Sequence, residues 1–139
     1  MSAIDTLVGI HEQRLDEVRA RVTRLEVERD ALHTRTGRLA AELAAEAETA
    51  AESYEAGQAY PAFAARVAER QAALAEEIAA IDAVIAEARE AVTAAYRELK
   101  KYEISRDRAR ERERVEEARR ERARLDEIGA VAHRRNWAG

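Results

Sequence analysis

The feature that most constrains this chain is a pair of long apolar series with alternating three- and four-residue spacing, separated by one break. The first series begins with Ile4 and Val8 and fades into alanines near Tyr54. The second begins at Phe63 and continues beyond Leu99. Spacing of this kind places an apolar stripe along one face of a helix. The chain therefore predicts two helices that bury their stripes against each other.

The break between the two series contains a glycine, Gly57, and the only proline of the chain, Pro61. Glycine suits the position that follows a helix end, and proline suits the first turn of the next helix. The sequence therefore predicts a single elongated domain, an all-α antiparallel coiled-coil hairpin with a helix over 3–56, a turn at 57–60 and a helix over 61–135.

The two series also predict the register of the hairpin. Facing residues in an antiparallel pair have residue numbers with a constant sum, and a sum of 117 pairs apolar residues with each other, for example Leu39 with Ile78. The same register places His11 near Arg106. It leaves the second helix projecting about 20 residues, or roughly 30 Å, beyond the start of the first.

Composition agrees with a long helical hairpin and excludes several other classes. Charged residues make up 37% of the chain, aromatic residues only 4%, and cysteine is absent. Only 26 of the 139 residues are Leu, Ile, Val or Phe, too few for the core of a globular domain of this length. Without cysteine, disulfides and thiolate metal sites are excluded.

Membrane insertion and secretion are not expected. No apolar run approaches the roughly 20 residues that a membrane-spanning helix requires. The first twenty residues include Asp5, Glu12 and Arg14, which exclude the apolar core of a secretory signal. We therefore expect a cytoplasmic protein without direct membrane insertion.

The sequence offers no candidate catalytic residue, metal ligand or cofactor site. Its three histidines, His11, His33 and His133, are far apart and have no ligand spacing. No glycine-rich phosphate loop is present. The carboxylates belong to convex helix surfaces, where nothing would desolvate them or shift a pKa. The sequence predicts a protein that is not an enzyme.

The projecting segment is the part most suited to bind a partner. Residues Arg106–Arg124 contain nine arginines and six acids, a mixture that argues against nucleic-acid binding because no basic face free of carboxylates is evident. Beyond this run, Leu125, Ile128, Val131 and Ala132 form a short apolar stripe. Such a stripe on a charged helix indicates either a protein partner or self-association in a homodimer.

Three segments of the chain resemble the flagellar FliJ family. They are the N-terminal heptad helix, the helix restart Tyr60-Pro61-Ala62-Phe63 and the charged C-terminal block Arg124-Leu125-Asp126-Glu127-Ile128-Gly129. The resemblance spans essentially the whole chain. It implies a coiled-coil hairpin that serves as the stalk of the flagellar type III export ATPase complex.

The resemblance also implies the partners of such a stalk. The free ends of FliJ-like proteins enter the pore of the export ATPase hexamer, and the proteins couple this ring to a membrane export-gate protein and contact export chaperones. On this basis the candidate ATPase-binding residues are Arg119, Arg122, Arg124, Leu125, Asp126 and Ile128. The candidate gate-binding residues are Tyr60, Phe63 and Val67, of which the last two also suit the apolar interface of the hairpin.

A non-enzymatic stalk and chaperone protein of this kind acts in flagellum assembly and motility, in the cytoplasm and peripherally at the inner-membrane export apparatus. Two alternatives stay open from the sequence. One is the equivalent stalk of a virulence-type type III secretion system. The other is a generic homodimeric coiled-coil scaffold in which the projecting segments of two copies pair with each other.

Overall fold

The computed structural model describes residues 2–138 as two helices. Helix α1 runs Ala3–Glu52 and helix α2 runs Tyr54–Ala138. No strand is present among the described residues. The all-α helical hairpin that the two apolar series predict is confirmed.

Helix α1 begins at a capping box formed by Ser2 and Asp5. The Asp5 amide donates a hydrogen bond to Ser2 Oγ at 3.3 Å, and the Ser2 amide donates to Asp5 Oδ2 at 3.2 Å. Each side chain thus satisfies an amide that has no partner within the helix. The Asp5 carboxylate also lies at the positive end of the helix dipole, which stabilises its charge.

Helix α2 begins earlier than the glycine and proline of the break predict. The Ala56 amide donates to Ser53 Oγ at 3.1 Å, and the Gly57 amide donates to the Ser53 carbonyl at 3.0 Å. Ser53 is therefore the cap of α2, and the chain reverses there instead of at 57–60. Residues 57–60 belong to the first turns of α2, and Pro61 lies inside this helix.

The chain divides into two compact units, each described by itself. The hairpin unit is Arg14–Ala95, and the terminal unit consists of Met1–Gln13 and Tyr96–Gly139. The hairpin unit contains the reversal at Ser53, whereas the terminal unit contains the start of α1 and the C-terminal part of α2.

The buried apolar side chains of the hairpin unit come from both helices. They are Leu15, Val18, Leu39, Val67, Ile85 and Ala88. Ile85 is the largest fully buried side chain, with 2% of its surface exposed. All six belong to the two apolar series, so the spacing in the sequence identified the core of this unit.

The register of the hairpin unit differs from the predicted sum of 117. Leu39 and Leu74 line one shallow cleft, and their numbers sum to 113. Arg89 forms an ion pair with Glu26 at 3.3 Å, and their numbers sum to 115. The pairing is therefore displaced by about one step of the apolar series, in the same direction as the reversal, which lies at Ser53 and not at 57–60.

The terminal unit pairs the first residues of α1 with α2 and then leaves α2 uncovered. The His11 and Tyr102 rings stack with centroids 4.6 Å apart and an angle of 14°, so His11 faces Tyr102, one helical turn before the Arg106 that the predicted register placed near it. Residues 110–138 are all exposed. We call residues 111–138 of α2 the overhang. Within residues 2–138, neither helix is long and apolar enough to cross a membrane.

We predict that Ile85→Asp destabilises the hairpin unit strongly. The substitution removes a fully buried side chain and places an unpaired carboxylate in its site, which costs at least about 3 kcal/mol. The free energy of unfolding in urea measures this loss. Ile104→Asp is the matched control, because Ile104 is about half exposed on the same helix. Equal unfolding free energies for the two variants would contradict this core.

We also predict opposite outcomes at two helical glycines. A Cβ at Gly37 meets nothing within 4 Å, so Gly37→Ala should raise the unfolding free energy by about 1 kcal/mol. A Cβ at Gly57 lies only 3.2 Å from the Ala50 carbonyl oxygen. Crowding at the reversal should cancel or reverse the same gain in Gly57→Ala. An equal increase in both variants would show that the reversal is not this tight.

Candidate partner-binding surfaces

Ion pairs along its own surface support the overhang as a single helix. Arg114 donates two hydrogen bonds to Glu111, at 3.0 and 2.7 Å, and the Arg124 guanidinium lies 2.8 Å from both carboxylate oxygens of Glu121. Pairs three or four residues apart stabilise a helix that has no packing partner. The hydrogen bonds from Arg114 hold the pKa of the Glu111 carboxyl below its ordinary value.

All six candidate ATPase-binding residues lie on the overhang and are exposed. They are Arg119, Arg122, Arg124, Leu125, Asp126 and Ile128. Leu125 and Ile128 expose more than half of their surface, which is unusual for large apolar side chains. Ile128, Val131 and Ala132 line a shallow cleft with Arg124, Glu127 and Arg135. This arrangement combines an apolar contact area with charges of both signs at its border.

The three candidate gate-binding residues differ in how accessible they are. Tyr60 and Phe63 are half-buried near the reversal of the hairpin unit. Val67 is only 3% exposed and belongs to the core of this unit. A side chain buried to that degree has almost no surface left for another protein, so its place in the apolar interface accounts for it.

Sequence reasoning missed Tyr54, the most exposed aromatic residue of the hairpin unit, with 81% of its surface accessible. It follows the cap residue Ser53, so it occupies the first position of α2. The apolar series had assigned it to the end of the first helix. The signal that could have identified its position is the serine before it, because serine caps helices and Glu55 favours the first turn.

The start of α1 is held to α2 within the terminal unit. Arg110 Nη2 donates a hydrogen bond to Asp5 Oδ1 at 3.1 Å. Hydrogen bonds from Ser2, followed by the nearby charge of Arg110, keep the pKa of the Asp5 carboxyl below its ordinary value. This ion pair lies where α1 begins and the overhang of α2 emerges.

Within residues 2–138, no group of three or more His, Cys, Asp or Glu side chains is placed to hold a metal ion. No polar side-chain atom is buried without a hydrogen-bond partner in this part of the chain.

A comparison with protein families gives a match over nearly the whole chain. The family model described as Flagellar FliJ protein matches residues 1–137. Neither a curated protein nor a solved structure matches the chain.

We predict that Asp5→Asn removes a pH-dependent part of the stability. A carboxyl whose pKa is lowered by folding stabilises the folded state above its ordinary pKa, and this contribution is lost as the pH falls through the lower value. The urea midpoint of Asp5→Asn should therefore lie below that of the wild type near neutral pH. The difference should be constant above the ordinary pKa of 3.8 and should shrink as the pH falls below it. Asp126→Asn, on the overhang, is the control, and a constant difference at all pH values would contradict the lowered pKa of Asp5.

Proposed function

Because the chain belongs to the FliJ family, we propose that it is the stalk and chaperone component of the flagellar type III export apparatus, which binds the export ATPase ring and couples it to the membrane export gate. Family membership by itself makes the chain a flagellar export-related protein. The observation that carries the finer proposal is the overhang, a helix whose described residues are exposed throughout.

The overhang has the properties that a contact with a ring-shaped ATPase requires. A single helix is about 10–12 Å across with its side chains, narrow enough for the pore of a hexamer. Its exposed Leu125 and Ile128 supply an apolar contact, and Arg119 and Arg122 supply charges that no described residue neutralises. We propose that the ring closes around this segment and buries these side chains.

The mixed charge of the overhang suits a partner whose subunits change conformation during turnover. Exposed ion pairs contribute little individually and are screened beyond about 8 Å at physiological ionic strength. A contact built from many such interactions can be exchanged without a large barrier. We propose that the overhang binds successive states of the ring through this exchange, with the apolar pair as the more constant contact.

The gate contact is proposed for the reversal of the hairpin unit. Tyr54, Tyr60 and Phe63 present aromatic surface there, whereas the buried Val67 is left out of the contact. Residues 39–65 contain five glutamates and no lysine or arginine, so the surface around these aromatic side chains is acidic. We propose that the export-gate protein meets it with aromatic or apolar side chains bordered by basic residues.

The proposal implies a non-enzymatic protein located peripherally at the inner-membrane export apparatus, with contacts to export chaperones in addition to the ATPase and the gate. The stalk of a virulence-type type III secretion system would use the same surfaces. The family match favours the flagellar system. A homodimeric scaffold would instead bury Leu125 and Ile128 between two copies.

We predict that deletion of residues 114–139 abolishes binding to the flagellar export ATPase of the same genome and leaves the hairpin folded. The deleted segment contains all of the candidate ATPase-binding residues and none of the buried core. Co-purification of the ATPase with the full chain and with residues 1–113 measures the binding. Circular dichroism and urea unfolding confirm that the shortened chain is folded.

The double variant Leu125→Asp with Ile128→Asp tests the apolar part of the contact in the full chain. We expect a loss of at least about tenfold in affinity, because two exposed anchors would lose their apolar contact. Val27→Asp is the matched control, since Val27 is exposed in the hairpin unit. If the 1–113 chain bound the ATPase with the same affinity as the full chain, the proposal would be wrong. Dimers of the full chain that dissociate in the double variant would instead favour the scaffold.

A further inference from the structure

The charges of α2 in the terminal unit separate by face, although they are mixed in sequence order. With 100° between successive residues, eight residues between 97 and 122 fall within an arc of about 80°. None of the eight is acidic. Two are apolar, Ile104 and Val115, and six are basic: Arg97, Lys101, Arg108, Arg112, Arg119 and Arg122. We call these eight residues the basic stripe. The expectation that Arg106–Arg124 has no basic face free of carboxylates is therefore wrong.

The six cations of the basic stripe are exposed and form no ion pair with another described residue. Lys101 alone has a further contact, with its Nζ 5.5 Å from the centroid of the Tyr102 ring. Six other cations of the same unit are paired with carboxylates: Lys100, Arg106, Arg110, Arg114, Arg120 and Arg124. The carboxylates of the unit thus pair with cations on the other faces of α2, and the face that carries the basic stripe keeps its positive charge.

The carboxylates beside the basic stripe are directed to partners outside it. Glu111 accepts both of its hydrogen bonds from Arg114, and Glu116 pairs with Arg120 at 3.9 Å. Within the stripe, cations three or four residues apart repel each other and weaken an isolated helix. No described carboxylate of the terminal unit forms an ion pair that would offset this repulsion. An external group with negative charge would relieve it.

The basic stripe has an 11-residue repeat. The repeat relates Arg97 to Arg108 and Arg119, Lys101 to Arg112, and Ile104 to Val115. Eleven residues complete three turns with an excess of only about 20°, so the stripe runs almost parallel to the helix axis. It extends over about 38 Å at 1.5 Å per residue. A ligand that follows it must be long, narrow and negatively charged at regular intervals.

We propose that the basic stripe binds an acidic amphipathic helix of another protein, which lies along α2 with its carboxylates on the six cations. The two apolar residues point to a helix with side chains of its own. Ile104 is 49% and Val115 is 38% exposed, and they lie one repeat apart, about 16 Å. Apolar residues with the same separation on the partner would cover both. Charge complementarity then sets the orientation and register of the partner helix.

Two other anionic partners fit the surface less well. A flat anionic membrane would also meet the acids at the borders of the stripe, such as Glu111 and Glu116, whereas a narrow helix meets only the cations. A single-stranded nucleic acid would find no aromatic side chain in the stripe on which to stack its bases. The proposal does not depend on the ATPase contact, because four of the six cations lie outside the candidate ATPase-binding residues.

The test uses the full chain and a synthetic acidic peptide as the probe. The peptide is a 28-residue helix that carries glutamates on one face and two leucines 11 residues apart on that face. A second peptide has the same composition with the glutamates distributed around all faces. Fluorescence anisotropy at about 0.15 M salt should show at least about tenfold tighter binding of the first peptide, since a single acidic face matches the stripe.

A quadruple variant tests the stripe itself: Arg97→Gln, Lys101→Gln, Arg108→Gln and Arg112→Gln. It should bind the patterned peptide at least about tenfold more weakly than the wild type. The matched control removes the same net charge outside the stripe: Lys100→Gln, Arg106→Gln, Arg114→Gln and Arg120→Gln. It should stay within about threefold of the wild type. Circular dichroism of both variants verifies that helix content is retained.

Six results would overturn the proposal. Equal binding of the two peptides, or equal loss in the two variants, would mean that the chain responds only to total charge. Tighter binding of a single-stranded DNA oligonucleotide, or of phosphatidylglycerol vesicles, would assign the stripe to those ligands. Self-association that is lost only in the stripe variant would make a second copy of this chain the occupant. Retained peptide binding by the stripe variant would remove the stripe from the contact.

Discussion

Burial of one apolar face of each helix is the interaction on which the rest of the structure depends. Isolated helices gain little net stability in water, and most helical stability in proteins comes from packing such a face. In the hairpin unit, Leu39 and Val67 come from different helices and are both buried, as is Ile85. Because the chain has few other large apolar side chains to bury, this interface determines where the helices run together. It also leaves the aromatic residues around the reversal at the surface.

The terminal unit shows what happens to a helix when this interface ends. Beyond Arg110 no described residue of α2 is buried, and ion pairs such as Arg114 with Glu111 replace packing as the local support. Exposed pairs of this kind hold a helix only weakly. They do, however, leave the whole circumference of the overhang available to other proteins. Both proposed contacts depend on this exposure. The ATPase contact uses exposed apolar residues, and the basic stripe uses cations that form no ion pair with a described residue.

Much of the fold was predictable, and the errors have a common origin. Periodicity identified the buried residues of both series, the hairpin and the long second helix, because apolar spacing reports directly which face is covered. It did not identify the reversal. Gly57 and Pro61 favoured a turn at 57–60, whereas the cap of the second helix is Ser53. The register is displaced in the same direction as the reversal, and His11 stacks on Tyr102. Among the candidate site residues, Val67 proved to belong to the core, since a position in an apolar series suits both a core and a contact.

The sequence by itself determined the fold class, the two helices and the family, because each depends on patterns that extend over the chain and tolerate local errors. Only the tertiary structure decided which residues face one another and which cations remain unpaired. The facing residues change when the register of the two helices shifts by one turn. The unpaired cations depend on which nearby carboxylate each arginine contacts, as when Arg114 binds Glu111. Alternatives of this kind differ little in local energy, so the packing of α1 on α2 and the position of the cap select among them.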